Sequence, residues 1–146
     1  MERVAIFPGT FDPFTIGHKD IVVRALPMFD KIIISLGDNQ DKNPLFPLEQ
    51  RVERIKKAFE GNSKIEVLSY AGLTIDFARK VGASFILRGI RNALDFEYEK
   101  QLALANKEIG GIETVLLTAN PAHEYISSSV VRDLYKNGRD ISDLIV

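Results

Sequence analysis

The chain contains no cysteine among its 146 residues, which excludes disulfide bonds, thiolate metal sites and cysteine nucleophiles. It also lacks any run of 18 apolar residues that could form a transmembrane helix. Its amino terminus, Met1-Glu2-Arg3, leads directly into a predicted strand without the apolar region of a signal peptide. We therefore expect a soluble cytoplasmic protein that does not bind membranes.

The chain has no excess of positively charged residues either. Nineteen lysines and arginines stand against 20 aspartates and glutamates, so the formal net charge is −1. Proteins that bind nucleic acids usually present a basic surface, so we expect no nucleic-acid partner. The glycine-rich fingerprints GxGxxG and GxxxxGK[ST] are also absent, which argues against a dinucleotide Rossmann site and against a P-loop.

The chain does contain an alternation of short apolar runs with longer amphipathic ones. This pattern predicts strands at 4–8, 31–36, 64–68, 84–87 and 113–117, and helices at 17–29, 47–59, 73–81, 95–107 and 128–136. Strands that alternate with helices form βαβ units, which favour a parallel sheet covered on both faces. We predict an α/β fold: one doubly wound, Rossmann-like domain over residues 1–146 with a five-stranded parallel sheet.

Polar and charged side chains follow every predicted strand. The carboxyl ends of parallel strands meet at one edge of the sheet, where such folds bind ligands. Lys42, Arg88 and Arg91 would gather at that edge in a chain without net positive charge, and such cations indicate a polyanionic ligand, such as a nucleoside triphosphate. The groups, in strand order, are Thr10 with His18, Lys42, the turn 71–74, Arg88 and Arg91 with Glu99, and the run 123–129 with Arg132.

Each of these side chains also has an ordinary structural explanation. Serines 127–129 could simply cap the last helix, because serine is a favoured cap residue. A histidine at a helix start, such as His18, is often a cap or a surface residue. Asp95 and Glu99 lie four residues apart and could pair with Arg91. Their placement after successive strands favours a shared site over a set of coincidences.

Two motifs carry a resemblance to a known superfamily. Gly9-Thr10-Phe11-Asp12-Pro13 with Thr15-Ile16-Gly17-His18 resembles the T/HxGH signature of the nucleotidyltransferases, and Ile126-Ser127-Ser128-Ser129 with Arg132 resembles their ISS[ST]xxR signature. Three further pieces resemble the phosphopantetheine adenylyltransferase family: Lys42, Arg88-Gly89-Ile90-Arg91 and Asp95-Phe96-Glu97-Tyr98-Glu99. The resemblance extends from Val4 to about Leu144.

That resemblance implies reversible transfer of the adenylyl group of ATP to 4′-phosphopantetheine, giving 3′-dephospho-coenzyme A and pyrophosphate in coenzyme A biosynthesis. It also implies assistance by Mg²⁺, a cytoplasmic homohexamer, and inhibition by coenzyme A. Two other functions stay open: another small nucleotidyltransferase, acting on nicotinamide mononucleotide or making a CDP-alcohol, and a non-catalytic nucleotide sensor.

The resemblance further implies which residues bind each substrate. Phosphopantetheine would contact Thr10, Lys42, Thr74 and Arg88. ATP would contact Thr10, Phe11, His18, Gly89, Ile90, Arg91, Glu99, His123, Glu124, Tyr125, Ile126, Ser127, Ser128 and Ser129.

The predicted catalytic groups are His18, Lys42 and Arg91, which would stabilise charge, and Thr10, which would orient the attacking phosphate. A phosphate monoester is already anionic at neutral pH, so no general base is needed. We expect no metal ligand from the protein, because Mg²⁺ is commonly held by phosphates and water.

Overall fold

The computed structural model describes residues 1–38 and 43–146, which form five strands and five α-helices. Every predicted strand and helix occurs within a few residues of its predicted position. Lys42 lies outside the described residues. The strands are β1 (Val4–Gly9), β2 (Lys31–Gly37), β3 (Ile65–Tyr70), β4 (Phe85–Ile90) and β5 (Glu113–Thr118). The helices are α1 (Ile16–Ala25), α2 (Leu48–Ala58), α3 (Thr74–Lys80), α4 (Ala93–Gly110) and α5 (Ser128–Lys136).

All five strands join one parallel sheet in the order β3-β2-β1-β4-β5. The predicted fold class is therefore confirmed. The chain builds outward from β1 to β3 and then crosses to β4 on the other side of β1. In open parallel sheets, ligands bind outside the carboxyl ends of the strands at such a reversal. The reversal places the residues that follow β1 beside the last residues of β4.

The two faces of the sheet bury alternate residues of the same strand. Ala5 and Phe7 of β1 pack on one face with α1 and α2. Val4 and Ile6 pack on the other face with α3. This alternation explains why β1 is a continuous apolar run in the sequence, since a strand covered on both faces needs apolar residues at every position.

The last residues of the chain connect α5 to the start of α1. Val131 of α5 and Leu144 are buried in one small cluster. The carbonyl oxygen of Leu144 accepts the N–H of Ile16 at 2.9 Å, and Thr15 forms an isolated antiparallel bridge with Ile145. Since Ile16 is the first residue of α1, this segment fixes the start of α1 relative to α5.

Strand β4 is longer than the apolar pattern predicts. The sequence predicts its end at Leu87, with Arg88 and Gly89 in the following turn, whereas the structure continues the strand to Ile90 in register with β5. The polar Arg88 is tolerated inside the strand because its guanidinium pairs with a buried carboxylate on α4, that of Glu99.

Among the described residues, no helix has both the length and the apolar character that a membrane span requires.

Candidate active site

The carboxyl edge of the sheet opens into two adjoining cavities. The smaller cavity has a volume of about 360 Å³ and lies between the starts of α1 and α5 and the end of β4. The larger cavity, of about 710 Å³, lies between α4 and the sheet, beside the start of α3. The two share Pro8, Gly9, Thr10, Arg88 and Glu99. Molecules held in the two cavities would therefore meet at Thr10 and Arg88.

The cavities bring together most of the residues predicted from the sequence. The smaller one is lined by Thr10, Phe11, His18, Gly89, Arg91, Glu99, His123, Ile126, Ser127, Ser128 and Ser129. The larger one is lined by Thr10, Thr74, Arg88 and Glu99. Three predicted nucleotide contacts line neither cavity: Ile90, Glu124 and Tyr125. Tyr125 is 63% exposed.

The turn after β1 has an unusual main-chain conformation. Phe11 has a φ of 49°, in the left-handed region that non-glycine residues rarely adopt. Its ring packs back over the strand end, where a Cβ built on Gly9 would lie 2.8 Å from ring carbons. Gly9 is therefore required by the close approach of Phe11. The turn presents Thr10 to both cavities.

His18 is held in one orientation and one tautomer by the first turn of α1. The N–H of Thr15 donates to Nδ1 of His18 at 2.9 Å, and the N–H of His18 donates to Oγ1 of Thr15 at 3.3 Å. This reciprocal arrangement is a capping box with histidine in the place of the usual glutamate. Since Nδ1 accepts a hydrogen bond, the neutral ring carries its proton on Nε2. His18 can thus present an N–H donor to the smaller cavity.

The surroundings of His18 keep it uncharged. Its ring lies among Phe7, Phe11 and Phe14, with centroid separations of 6.3, 5.0 and 5.2 Å. Burial in this apolar environment, together with the positive charges of Arg88 and Arg91, lowers the pKa of His18 from 6.5 to about 3. At neutral pH the residue is a hydrogen-bond donor without a positive charge.

The two helix starts at the smaller cavity differ in what they can offer an anion. At α1, the Ile16 N–H donates to Leu144 and the His18 N–H to Thr15, which leaves the N–H of Gly17 without an acceptor in the described part of the chain. At α5, the Ser127 side chain accepts only the Val130 N–H, at 3.1 Å. The N–H groups of Ser128 and Ser129 have no acceptor within the described part of the chain. The stronger anion site is therefore the start of α5.

Two of the predicted cations are paired with carboxylates. Arg88 makes a bidentate contact with the buried Glu99, with its Nη2 2.6 Å from Oε1 and its Nε 2.9 Å from Oε2. Arg91 donates Nε to Oδ2 of Asp95 at 3.0 Å. Including Arg132, the described lining of the smaller cavity holds three arginines and two carboxylates, and so carries one net positive charge.

Main-chain carbonyl groups at the end of β1 and in the turn after it accept hydrogen bonds from arginines of three different elements. Arg88 of β4 donates to Pro8 O at 2.5 Å, Arg51 of α2 donates to Thr10 O at 2.7 Å, and Arg132 of α5 donates to Asp12 O at 2.9 Å. Sequence reasoning missed Arg51. Its spacing could have revealed it. Arg51 precedes Ile55 by four residues, which places both side chains on the buried side of α2.

The larger cavity combines apolar walls with polar groups at its mouth. Tyr70 stacks on Phe77, with ring centroids 4.5 Å apart, and its hydroxyl lies 2.9 Å from Oγ1 of Thr74. Leu73 and Leu102 supply apolar lining. Such a cavity suits a long, largely uncharged ligand with a charged end near Arg88.

Comparison with known proteins decides the family. A cytidylyltransferase-like family model matches residues 6–134. Over 143 residues, the chain is 52% identical to the phosphopantetheine adenylyltransferase of Bacteroides thetaiotaomicron and 50% identical to that of Flavobacterium psychrophilum. Each alignment covers 98% of this chain and 95% of the relative. The chain belongs to the phosphopantetheine adenylyltransferase family. The resemblance to this family, carried in the sequence by Lys42, Arg88-Gly89-Ile90-Arg91 and Asp95-Phe96-Glu97-Tyr98-Glu99, is thereby confirmed.

The chain also resembles solved structures of other adenylyltransferases. The fold superposes with a TM-score of 0.78 on a bifunctional NMN adenylyltransferase/ADP ribose pyrophosphatase from Francisella tularensis, at 17% identity. That match covers 99% of this chain and 45% of the bifunctional one. At this identity the likeness supports the fold alone.

Proposed function

We propose that this protein catalyses the reversible transfer of the adenylyl group of ATP to 4′-phosphopantetheine, releasing pyrophosphate and forming 3′-dephospho-coenzyme A, a step of coenzyme A biosynthesis. Membership of the adenylyltransferase family supports this activity. The observation that carries it is the meeting of two separate cavities at Thr10 and Arg88. A transferase needs a place for its donor and another for its acceptor, with the reacting atoms at the junction.

ATP belongs in the smaller cavity. Its phosphates would be bound by the free N–H groups at the start of α5 and by Arg91. His18 would donate its Nε2–H to an oxygen of the α-phosphate. A neutral donor of this kind stabilises the charge that develops there without fixing a cation in the site.

Phosphopantetheine belongs in the larger cavity. Its uncharged arm would lie along the apolar walls beside Tyr70 and Leu102, and its phosphate would lie near Arg88 and Thr10. Because Thr10 lines both cavities, its hydroxyl can hydrogen-bond the acceptor phosphate next to the α-phosphate of ATP.

The reaction needs positioning and charge stabilisation rather than a base. An oxygen of the acceptor phosphate attacks the α-phosphorus and forms a new P–O bond. The bond from that phosphorus to the bridging oxygen breaks, and pyrophosphate leaves with the electron pair. The nucleophile is already anionic, so no side chain has to remove a proton. Lys42 stays a sequence prediction for further charge stabilisation.

We propose Mg²⁺ as the cofactor, held by substrate phosphates and water. Among the described residues, no group of His, Asp or Glu side chains could hold a metal ion. The described lining of the smaller cavity carries one net positive charge, which is small against a triphosphate. Mg²⁺ fits this arrangement because it commonly binds phosphate oxygens and keeps several waters. When bound, it would neutralise charge on the departing pyrophosphate.

We also propose that the protein is a homo-oligomer, as the resemblance to a hexameric family implies. Helix α4 supports self-association because Glu99 is its one buried residue and large apolar side chains are exposed along it. These side chains are Leu94, Phe96, Tyr98, Leu102, Leu104 and Ile109.

Coenzyme A contains the same pantetheine arm and adenylyl group as the product, so we propose that it inhibits the transfer reaction by occupying both cavities.

We propose that the reaction takes place in the cytoplasm, where ATP is available.

The test is to incubate the purified protein with ATP, Mg²⁺ and 4′-phosphopantetheine and to follow dephospho-coenzyme A by mass spectrometry and pyrophosphate by a coupled assay. Parallel reactions contain nicotinamide mononucleotide, or CTP with a phosphoalcohol. Product from phosphopantetheine alone supports the proposal. Product from another acceptor contradicts it, as does ATP binding without turnover of any acceptor, which would indicate a nucleotide sensor.

A further inference from the structure

Arg51 is a buried charged residue that the proposed reaction has not used. The residue is 6% exposed, in a helix whose other buried residue is Ile55. It donates Nη1 to the carbonyl oxygen of Thr10 at 2.7 Å and Nε to that of Phe46 at 2.9 Å. Burying a guanidinium away from water is costly unless it is well hydrogen-bonded. An apolar side chain at this position would avoid that cost but would lose both hydrogen bonds.

A second buried charge makes the reciprocal contact. Asp12 is 4% exposed, and its carboxylate accepts the N–H of Leu45 at 2.7 Å and the N–H of Phe46 at 2.9 Å. The cation of α2 thus binds the turn after β1, while the anion of that turn binds the segment before α2. We call Arg51, Asp12 and the main chain of Thr10, Leu45 and Phe46 the clasp.

The clasp acts on a turn that does not hold its shape by local preference. Phe11 has a φ of 49°, an unfavourable conformation for a residue with a side chain, which persists only when the surroundings impose it. Arg51 binds the peptide immediately before Phe11, and Asp12 is the residue immediately after it. The clasp therefore holds the main chain on both sides of Phe11 by hydrogen bonds. Any relaxation of Phe11 would move Thr10, whose side chain lies at the junction of the two cavities.

We propose that Arg51 is a positioning residue for the transfer reaction, which acts through the main chain of Thr10 and touches neither substrate. This inference rests on the proposed function. Arg51 is absent from the lining of both cavities, so its loss should leave substrate binding largely intact. Its loss should lower turnover, because displacement of an aligning group by about 1 Å can cost about 100-fold in rate.

The experiment compares Arg51→Met with Lys57→Met, which removes an exposed positive charge from the same helix. Steady-state kcat and KM are measured for both substrates at a temperature where circular dichroism shows each variant to be folded. We expect Arg51→Met to lower kcat by about 10- to 100-fold, with the KM for ATP changed less than about threefold. Lys57→Met should behave as wild type. Arg51→Lys keeps the positive charge but not the planar guanidinium group, so its kcat should lie between those of Arg51→Met and Lys57→Met.

A double-mutant cycle with Thr10→Val separates positioning from general weakening of the fold. If Arg51 acts through Thr10, the double variant should lose no more activity than the more impaired single variant. The inference would be overturned if the double variant lost activity by the product of the two single losses, or if Arg51→Met had the kcat of the wild type. Neither result would contradict the proposed function. If Arg51→Met does not fold, Arg51→Lys takes its place in the cycle, under the same criteria. Wild-type protein that forms no dephospho-coenzyme A would overturn the proposed function, and this inference with it.

Discussion

The main-chain N–H of Thr15 donates to Nδ1 of His18 at 2.9 Å, so a contact between two residues of one helical turn determines which ring nitrogen faces the smaller cavity. A capping interaction usually stabilises a helix end and nothing more. Here the capping side chain is also the donor proposed for the α-phosphate. The same hydrogen bonds that begin α1 therefore orient the proposed catalytic group before any substrate binds.

Replacing His18 should reduce turnover much more than nucleotide binding. We expect His18→Ala to lower kcat by about 10²–10³-fold, the usual effect of removing one donor to a developing oxyanion. The affinity for ATP, measured by calorimetry, should change little. His18→Gln retains an N–H donor and should recover part of the loss. A variant His18→Ala with near wild-type turnover would contradict the proposed role.

The depressed pKa of His18 should make stability fall in mild acid. The unfolded chain gains a proton at this residue as the pH drops through about 6.5, whereas the folded protein does not until about pH 3. Between these values the unfolded state binds more protons, so the free energy of unfolding decreases as the pH falls. We expect His18 to contribute about 1 kcal/mol of this loss at pH 5, less than full linkage because the ring borders an open cavity.

Urea unfolding of wild type and His18→Gln at pH 7.5 and pH 5 measures this contribution. The glutamine variant should lose less stability between the two pH values than the wild type does. Equal losses would show that His18 is not held neutral.

Arg88 and Arg91 should affect different substrates. Arg88 lines both cavities, whereas Arg91 lines the smaller one and not the larger. Because both are arginines near the end of β4, each serves as the control for the other. We expect Arg88→Ala to weaken phosphopantetheine binding by about 10- to 100-fold, as loss of a charged hydrogen bond does. Arg91→Ala should weaken ATP binding instead. Unchanged phosphopantetheine affinity in Arg88→Ala, measured by calorimetry, would refute the assignment.

Removing Mg²⁺ should stop the reaction without destabilising the free protein. With the ion held by substrate phosphates, EDTA should abolish product formation and leave the melting temperature of the protein without ATP unchanged. Adding Mg²⁺ back in excess should restore the rate. A melting temperature that falls on chelation would instead indicate a metal site on the protein.

Charge placed on the exposed face of α4 should disrupt self-association. Leu94 and Leu104 are 81% and 58% exposed and line neither cavity. We expect Leu94→Glu with Leu104→Glu to shift the mass measured by light scattering towards that of one protomer, because a buried unpaired carboxylate is unfavourable. Val23→Glu, on the exposed side of α1, is the control and should leave the assembly unchanged. A wild-type protein that is monomeric would contradict the proposed oligomer.

The helices and strands were largely predictable because their cause is local. The run Val4 to Pro8 and the run Lys31 to Leu36 are apolar at nearly every position, as strands buried on both faces must be. The start of α5 at Ser128 agrees with its prediction because Ser127 is a cap that satisfies the Val130 N–H. Strand β4 was predicted too short because the partner that makes Arg88 acceptable in a strand, Glu99, lies eleven residues away on α4.

The sequence by itself determined the fold class and the family, since both depend on residue type and spacing. The alternation of strands and helices indicated the fold class, two motifs in fixed order indicated the superfamily, and three further pieces, among them Arg88-Gly89-Ile90-Arg91, indicated the family. Only the tertiary structure decided the strand order and the division of the site into two cavities joined at Thr10. It also decided the pairing of Arg88 with Glu99 and the burial of Arg51 against the turn after β1. These features depend on contacts between residues far apart in the chain, and the energy of such a contact is set by distance and burial, which spacing along one sequence does not encode.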